Sequence, residues 1–140
     1  MNDDLRPLEA LTRMKLDTEL ARLRRLSEVA EARRREISAL GASVEARSRA
    51  IAEADPARDL ALLSGQDAIW QDWVQRQKRR LTRDAAEAAA QREAQRVRAQ
   101  RAFGETEALK GLRELAVNDR KAQAVRRSHA DPEGTGHPGQ

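Results

Sequence analysis

The stretch Leu16–Ile51 reads LDTELARLRRLSEVAEARRREISALGASVEARSRAI, and every seventh residue in it is apolar: Leu16, Leu23, Ala30, Ile37, Val44 and Ile51. Two turns of α-helix take about seven residues, so such a column marks a helix that lays one stripe against another helix. The column four residues further on reads Leu20, Ser27, Arg34, Gly41, Ser48 and Asp55, apolar only at its start. A seam apolar on one side predicts a thin two-stranded contact and no thick bundle core. Leu26 and Leu40 lie off this seam, where they either broaden the buried face or stand exposed.

The ends of this helix follow from turn chemistry, which places it at about 4–54. Asp55-Pro56 joins an N-cap residue to a proline whose ring disfavours helical geometry at the residue before it. A second start signal follows at Ser64-Gly65-Gln66-Asp67, where the Ser64 hydroxyl can cap the Asp67 amide and the Asp67 carboxylate suits the positive helix end. The linker is therefore placed at 55–65, with one short helical turn through 59–63. A second helix is placed at 66–127, on the seven-spaced column Leu60, Asp67, Val74, Leu81, Ala88, Gln95, Ala102, Leu109 and Ala116. Its neighbouring column holds Leu63, Trp70 and Leu112, but Gln77, Asp84, Gln91, Arg98 and Glu105 between them. Alanine dominates 85–102 and buries far less than the roughly 1.5–3 kcal/mol of a leucine or isoleucine, so this length is expected to be marginally stable. No periodic apolar residue occurs past Arg127, and 128–140 is expected to be a disordered tail. Two helices of this length on so short a linker close on each other only as an antiparallel hairpin, the alternative being that both pair with another copy, and the expected fold class is all-α, a long two-helix coiled-coil hairpin.

Composition agrees. Ala, Arg, Leu, Glu and Lys make up 81 of the 140 residues, and only three are aromatic. The absence of Cys excludes disulfides, zinc ribbons and thiol nucleophiles, and both histidines, His129 and His137, fall in the expected tail. The acidic Met1-Asn2-Asp3-Asp4 start does not resemble a signal peptide, and no run of 18 apolar residues occurs, which gives the expectation of a soluble intracellular protein. Catalysis needs polar groups converging in a water-excluding hollow, which a thin hairpin does not offer. Glu28, Glu31 and Glu36 interleave with Arg33, Arg34 and Arg35 as exposed helical ion pairs do. Gly104-Glu105-Thr106 lacks the lysine of a phosphate loop. The sequence therefore gives no catalytic residue, no metal ligand and no cofactor.

Two features point to partners. The net charge of +4 is uneven: residues 57–127 carry 16 Lys or Arg against 10 Asp or Glu, with Arg76, Lys78, Arg79, Arg80 and Arg83 within eight residues. Such a patch can attract nucleic acid, an anionic membrane or an acidic protein groove, or it can be a solvated helix face. The excess of Arg over Lys, 23 to 4, fits the coding bias of a GC-rich genome. The other feature is the pair Trp70 and Trp73 beside Ile69. Trp70 falls in the seam column and reads as packing, whereas Trp73 lies outside both columns and reads as an exposed anchor.

A basic, Ala/Arg/Glu-rich helical hairpin with a bracketed linker, together with the segment Arg101-Ala102-Phe103-Gly104-Glu105-Thr106-Glu107-Ala108-Leu109, resembles the FliJ/YscO family of flagellar and type III secretion export stalk proteins. The resemblance spans about residues 5–127. It implies a non-enzymatic, cytoplasmic stalk at the export apparatus of the inner membrane, standing in the pore of a hexameric export ATPase, linking it to the export gate and binding export chaperones. On that resemblance Ile69, Trp70 and Trp73 suit the gate side, and Arg13, Lys15, Arg120, Lys121, Arg126 and Arg127 the ATPase side. The chain has no Tyr where several family members carry tyrosines in helix one. A coiled-coil scaffold or chaperone of another assembly, and a basic nucleic-acid-associated coiled coil, are the alternatives. The last would want aromatics interleaved with the cluster of 76–83.

Overall fold

A computed structural model describes the backbone of residues 2–55 and 65–134, and the side chains of 4–55 and 65–130. The fold is all-α, a two-helix hairpin: α1 is Asn2–Glu53 and α2 is Gln66–Gly134. The first helix ends one residue from its expected limit, with the Ala54 amide still donating to the Ala50 carbonyl at 2.9 Å. At the second start Gly65 has φ +76, a left-handed conformation that a Cβ disfavours, and its carbonyl accepts the Ile69 amide at 3.3 Å. Gly65 thus occupies the cap position, while the expected Ser64 cap and the turn at 59–63 lie outside the described residues.

The chain forms two compact units. In the terminal unit, α1 up to Leu20 runs antiparallel to α2 from Arg98 onward. Arg113 donates to Glu9 at 3.2 Å and Lys15 pairs with Glu105 at 3.0 Å, while Ala99 and Ala102 are buried. In the turn unit, Ala21–Val97, the two helical lengths are again antiparallel. Arg47 meets Asp67 at 2.8 Å, Val44 and Ile37 line an apolar hollow with Val74, and Val29 lies beside Ala88. Ala30, Val74, Leu81 and Ala88 are buried there, together with one polar side chain, Gln95, which is not without a partner.

Both seven-spaced columns face the seam. Leu16, Leu23, Ile37, Val44 and Ile51 are half-buried with Ala30 fully so; on α2, Val74, Leu81, Ala88, Gln95 and Ala102 are buried, and Asp67, Leu109 and Ala116 half-buried. The companion columns differ from expectation. On α1 the second covered column lies three residues on from the seam, through Thr12, Glu19, Leu26, Arg33, Leu40 and Arg47, while Leu20, Arg34, Gly41 and Ser48 are exposed. Steps of three and of four residues reach opposite flanks of one stripe, and burial follows the flank where Leu26 and Leu40 supply apolar surface. On α2, Trp70, Gln77 and Asp84 are half-buried as the neighbouring column requires, but Gln91, Arg98, Glu105 and Leu112 are exposed and Ala85, Arg92, Ala99 and Thr106 take over. A straight helix drifts by about 20° per heptad against a seven-residue repeat, which over several heptads moves the covered flank by one residue.

The helix end is also corrected. α2 is Gln66–Gly134, seven residues longer than the helix placed at 66–127, and 135–140 lie outside the described residues. Loss of apolar periodicity removes a packed face without removing helix propensity: 118–130 are exposed throughout, yet 121–127 are Lys, Ala, Gln, Val and Arg, mostly good helix formers. On the exterior, the Arg96 hydrogen bond holds the Glu93 carboxyl below its ordinary range, so this support is present at neutral pH and is lost as pH falls through the lowered value.

An added Cβ at Gly41 meets nothing within 4 Å, and its φ is not positive. Gly41→Ala is therefore expected to stabilise the protein by about 0.5–1 kcal/mol, and Leu81→Ala to destabilise it by about 2–4 kcal/mol, both read by urea denaturation. Gly65→Ala should destabilise, because there the positive φ is strained for any side chain.

Candidate functional site

Near the start of α2, Ile69 is 69% exposed and Trp73 45%, whereas Trp70 is half-buried. Spacing places them this way, since Trp70 lies three residues after Asp67 and four before Val74, both on the seam. Trp73 borders a groove of about 360 Å³ between the helices of the turn unit, with Ala39, Leu40 and Ser43 on α1 and Arg80 and Leu81 on α2. Its indole is thus partly exposed at the edge of an open groove, not an isolated surface residue.

The basic cluster divides. Arg76, Arg80 and Arg83 follow Trp73 at steps of three, four and three, which keeps them on one helical stripe. Lys78 borders the separate hollow of Ile37, Val44 and Val74, and Lys78, Arg79 and Arg83 share a shallow surface with Gln75 and Thr82. Arg76 makes an exposed pair with Asp72 at 3.4 Å, while Lys78, Arg79, Arg80 and Arg83 have no carboxylate partner among the described residues.

In the terminal unit the six cations also separate. Lys15 is held by Glu105, and Arg13 borders a hollow of about 230 Å³ with Glu9, Thr106 and Lys110. Arg120, Lys121, Arg126 and Arg127 are exposed and unpaired among the described residues, on a length of α2, 118–130, that is exposed throughout. Sequence reasoning missed the hollow beside Arg13, where Glu9 Oε1 is buried without a hydrogen-bond partner while its other oxygen accepts from Arg113. It also missed the exposed Leu8, Leu11, Leu112 and Leu115. Only the covered flank of each helix, which needs the fold, separates them from seam leucines.

Among the described residues no three His, Asp or Glu side chains stand close enough to hold a metal ion, and no helix is long and apolar enough to cross a membrane. Compared with protein-family models, curated proteins and solved structures, the chain matches none.

The two indoles should respond differently to truncation. Trp70→Ala is expected to lower the melting temperature by several degrees, as loss of a seam side chain costing about 1–3 kcal/mol would. Trp73→Ala should lower it by less; equal losses in thermal denaturation followed by circular dichroism would make Trp73 a packing residue.

Proposed function

We propose that this protein is a non-enzymatic stalk and adaptor that couples a hexameric export ATPase to a type III export gate and escorts export chaperones, on the cytoplasmic side of the inner membrane. The observation that carries the reading is the group Arg120, Lys121, Arg126 and Arg127, exposed and unpaired among the described residues on the exposed length 118–130 of α2. Cations so displayed attract an acidic surface over about 8–10 Å at ordinary ionic strength. Ile69 and Trp73, exposed in the turn unit, supply a second and chemically different surface, suited to the gate. The likeness to the export-stalk family supplies the identity of both partners.

The expected outcome is that the protein raises ATP hydrolysis by its cognate export ATPase, and that joint reversal of Arg120, Arg126 and Arg127 to Glu abolishes the effect while helicity persists. Reversal of Lys15 should change it less, because Lys15 is already paired with Glu105. No stimulation by the unaltered protein at low salt, where such attraction is strongest, removes this function.

A further inference from the structure

We propose that the groove beside Trp73 is a docking site for an acidic amphipathic helix of a partner protein, which would lie as a third helix against α1 and α2 of the turn unit. The proposal deepens the adaptor reading and rests on it for the existence of a partner.

The floor of the groove is apolar, from Ala39, Leu40 and Leu81, and Trp73 walls it with nearly half its surface in water. A two-stranded contact covers only one stripe of each helix, so the flank between them remains open to another apolar stripe. Charge selects the occupant. Arg80 lines the groove and has no carboxylate partner among the described residues, and Arg76 stands one turn before it on the same stripe. Elsewhere arginines beside the other helix find one, as Arg47 does in Asp67 and Arg113 in Glu9. The opposite wall carries Glu36, held by Arg33 at 2.9 Å. A phosphodiester strand bears charge at every step and would meet Glu36 as well as the arginines. An amphipathic helix can place its carboxylates on the arginine side alone and its apolar stripe over Leu40 and Trp73, which is why a protein helix fits better than a nucleic acid.

The test uses the full chain carrying Trp70→Phe, which leaves Trp73 as its one indole, titrated with a synthetic peptide of about 18 residues, five helical turns, with Leu on one stripe and Glu elsewhere. The expected result is a saturable blue shift of Trp73 emission that weakens with salt. A scrambled peptide of the same composition should bind at least about tenfold more weakly, as should the designed peptide to the R76E/R80E variant, whereas K78E/R79E should change affinity less than about threefold. Equal binding of designed and scrambled peptides, or equal effects of the two charge reversals, would overturn the site. Tighter binding of an oligothymidylate than of the peptide would overturn the class of occupant. Because no ATPase enters this titration, its failure and failure of the stalk function are separate results.

Discussion

Two helices that pack only against each other can each shelter a single stripe, and everything else along them stays in water. Here that stripe is filled largely by small side chains: Ala30, Ala88, Ala99 and Ala102 account for four of the six buried apolar residues among the described ones, beside Val74 and Leu81. Alanine lets helix backbones approach closely but removes little apolar surface from water, so the contact draws its strength from length. The large apolar residues are then free to sit off the stripe, and Leu8, Leu11, Ile69, Trp73, Leu112 and Leu115 all do. Thin burial and a rich exposed surface have the same cause.

The division of charge follows too. A side chain on the flank of the stripe lies within reach of the facing helix, and cross-helix pairs form there: Lys15 with Glu105, Arg47 with Asp67, Arg113 with Glu9. On the outer surfaces some cations find a partner one turn away, as Arg76 and Arg96 do. Along the exposed length 118–130 even this ceases, and Arg120, Lys121, Arg126 and Arg127 have no carboxylate partner among the described residues.

Much of the fold was legible in the sequence because a seven-residue repeat survives any choice of partner. Both columns, the end of α1 near Ala54 and the start of α2 at Gln66 could be read directly. What could not be read is the flank. Leu26 and Leu40 were offset from the seam in sequence and belong to it in space, since the lean of a stripe depends on the facing helix. The end of α2 was missed for another reason: packing periodicity stops before helicity does. Of the candidate site, spacing separated Trp70 from Trp73, but nothing local could show that Lys15 would be spoken for by a residue ninety positions away.

The pairing of Arg47 with Asp67 has one more consequence. Alanine is nearly the same at every turn, so the seam resists axial slippage weakly where alanine fills it, as at Ala88, Ala99 and Ala102. In the turn unit Asp67 and Arg47 pair across the seam, with side chains only 13% and 24% exposed. A slip would separate these two charges while Asp67 stays partly out of water, a cost added to that of misplacing the apolar residues around them. This ion pair, at the entrance to α2, is therefore better understood as a registration mark than as a source of stability: it fixes which residues meet along the turn unit, and so fixes the shape of the groove beside Trp73.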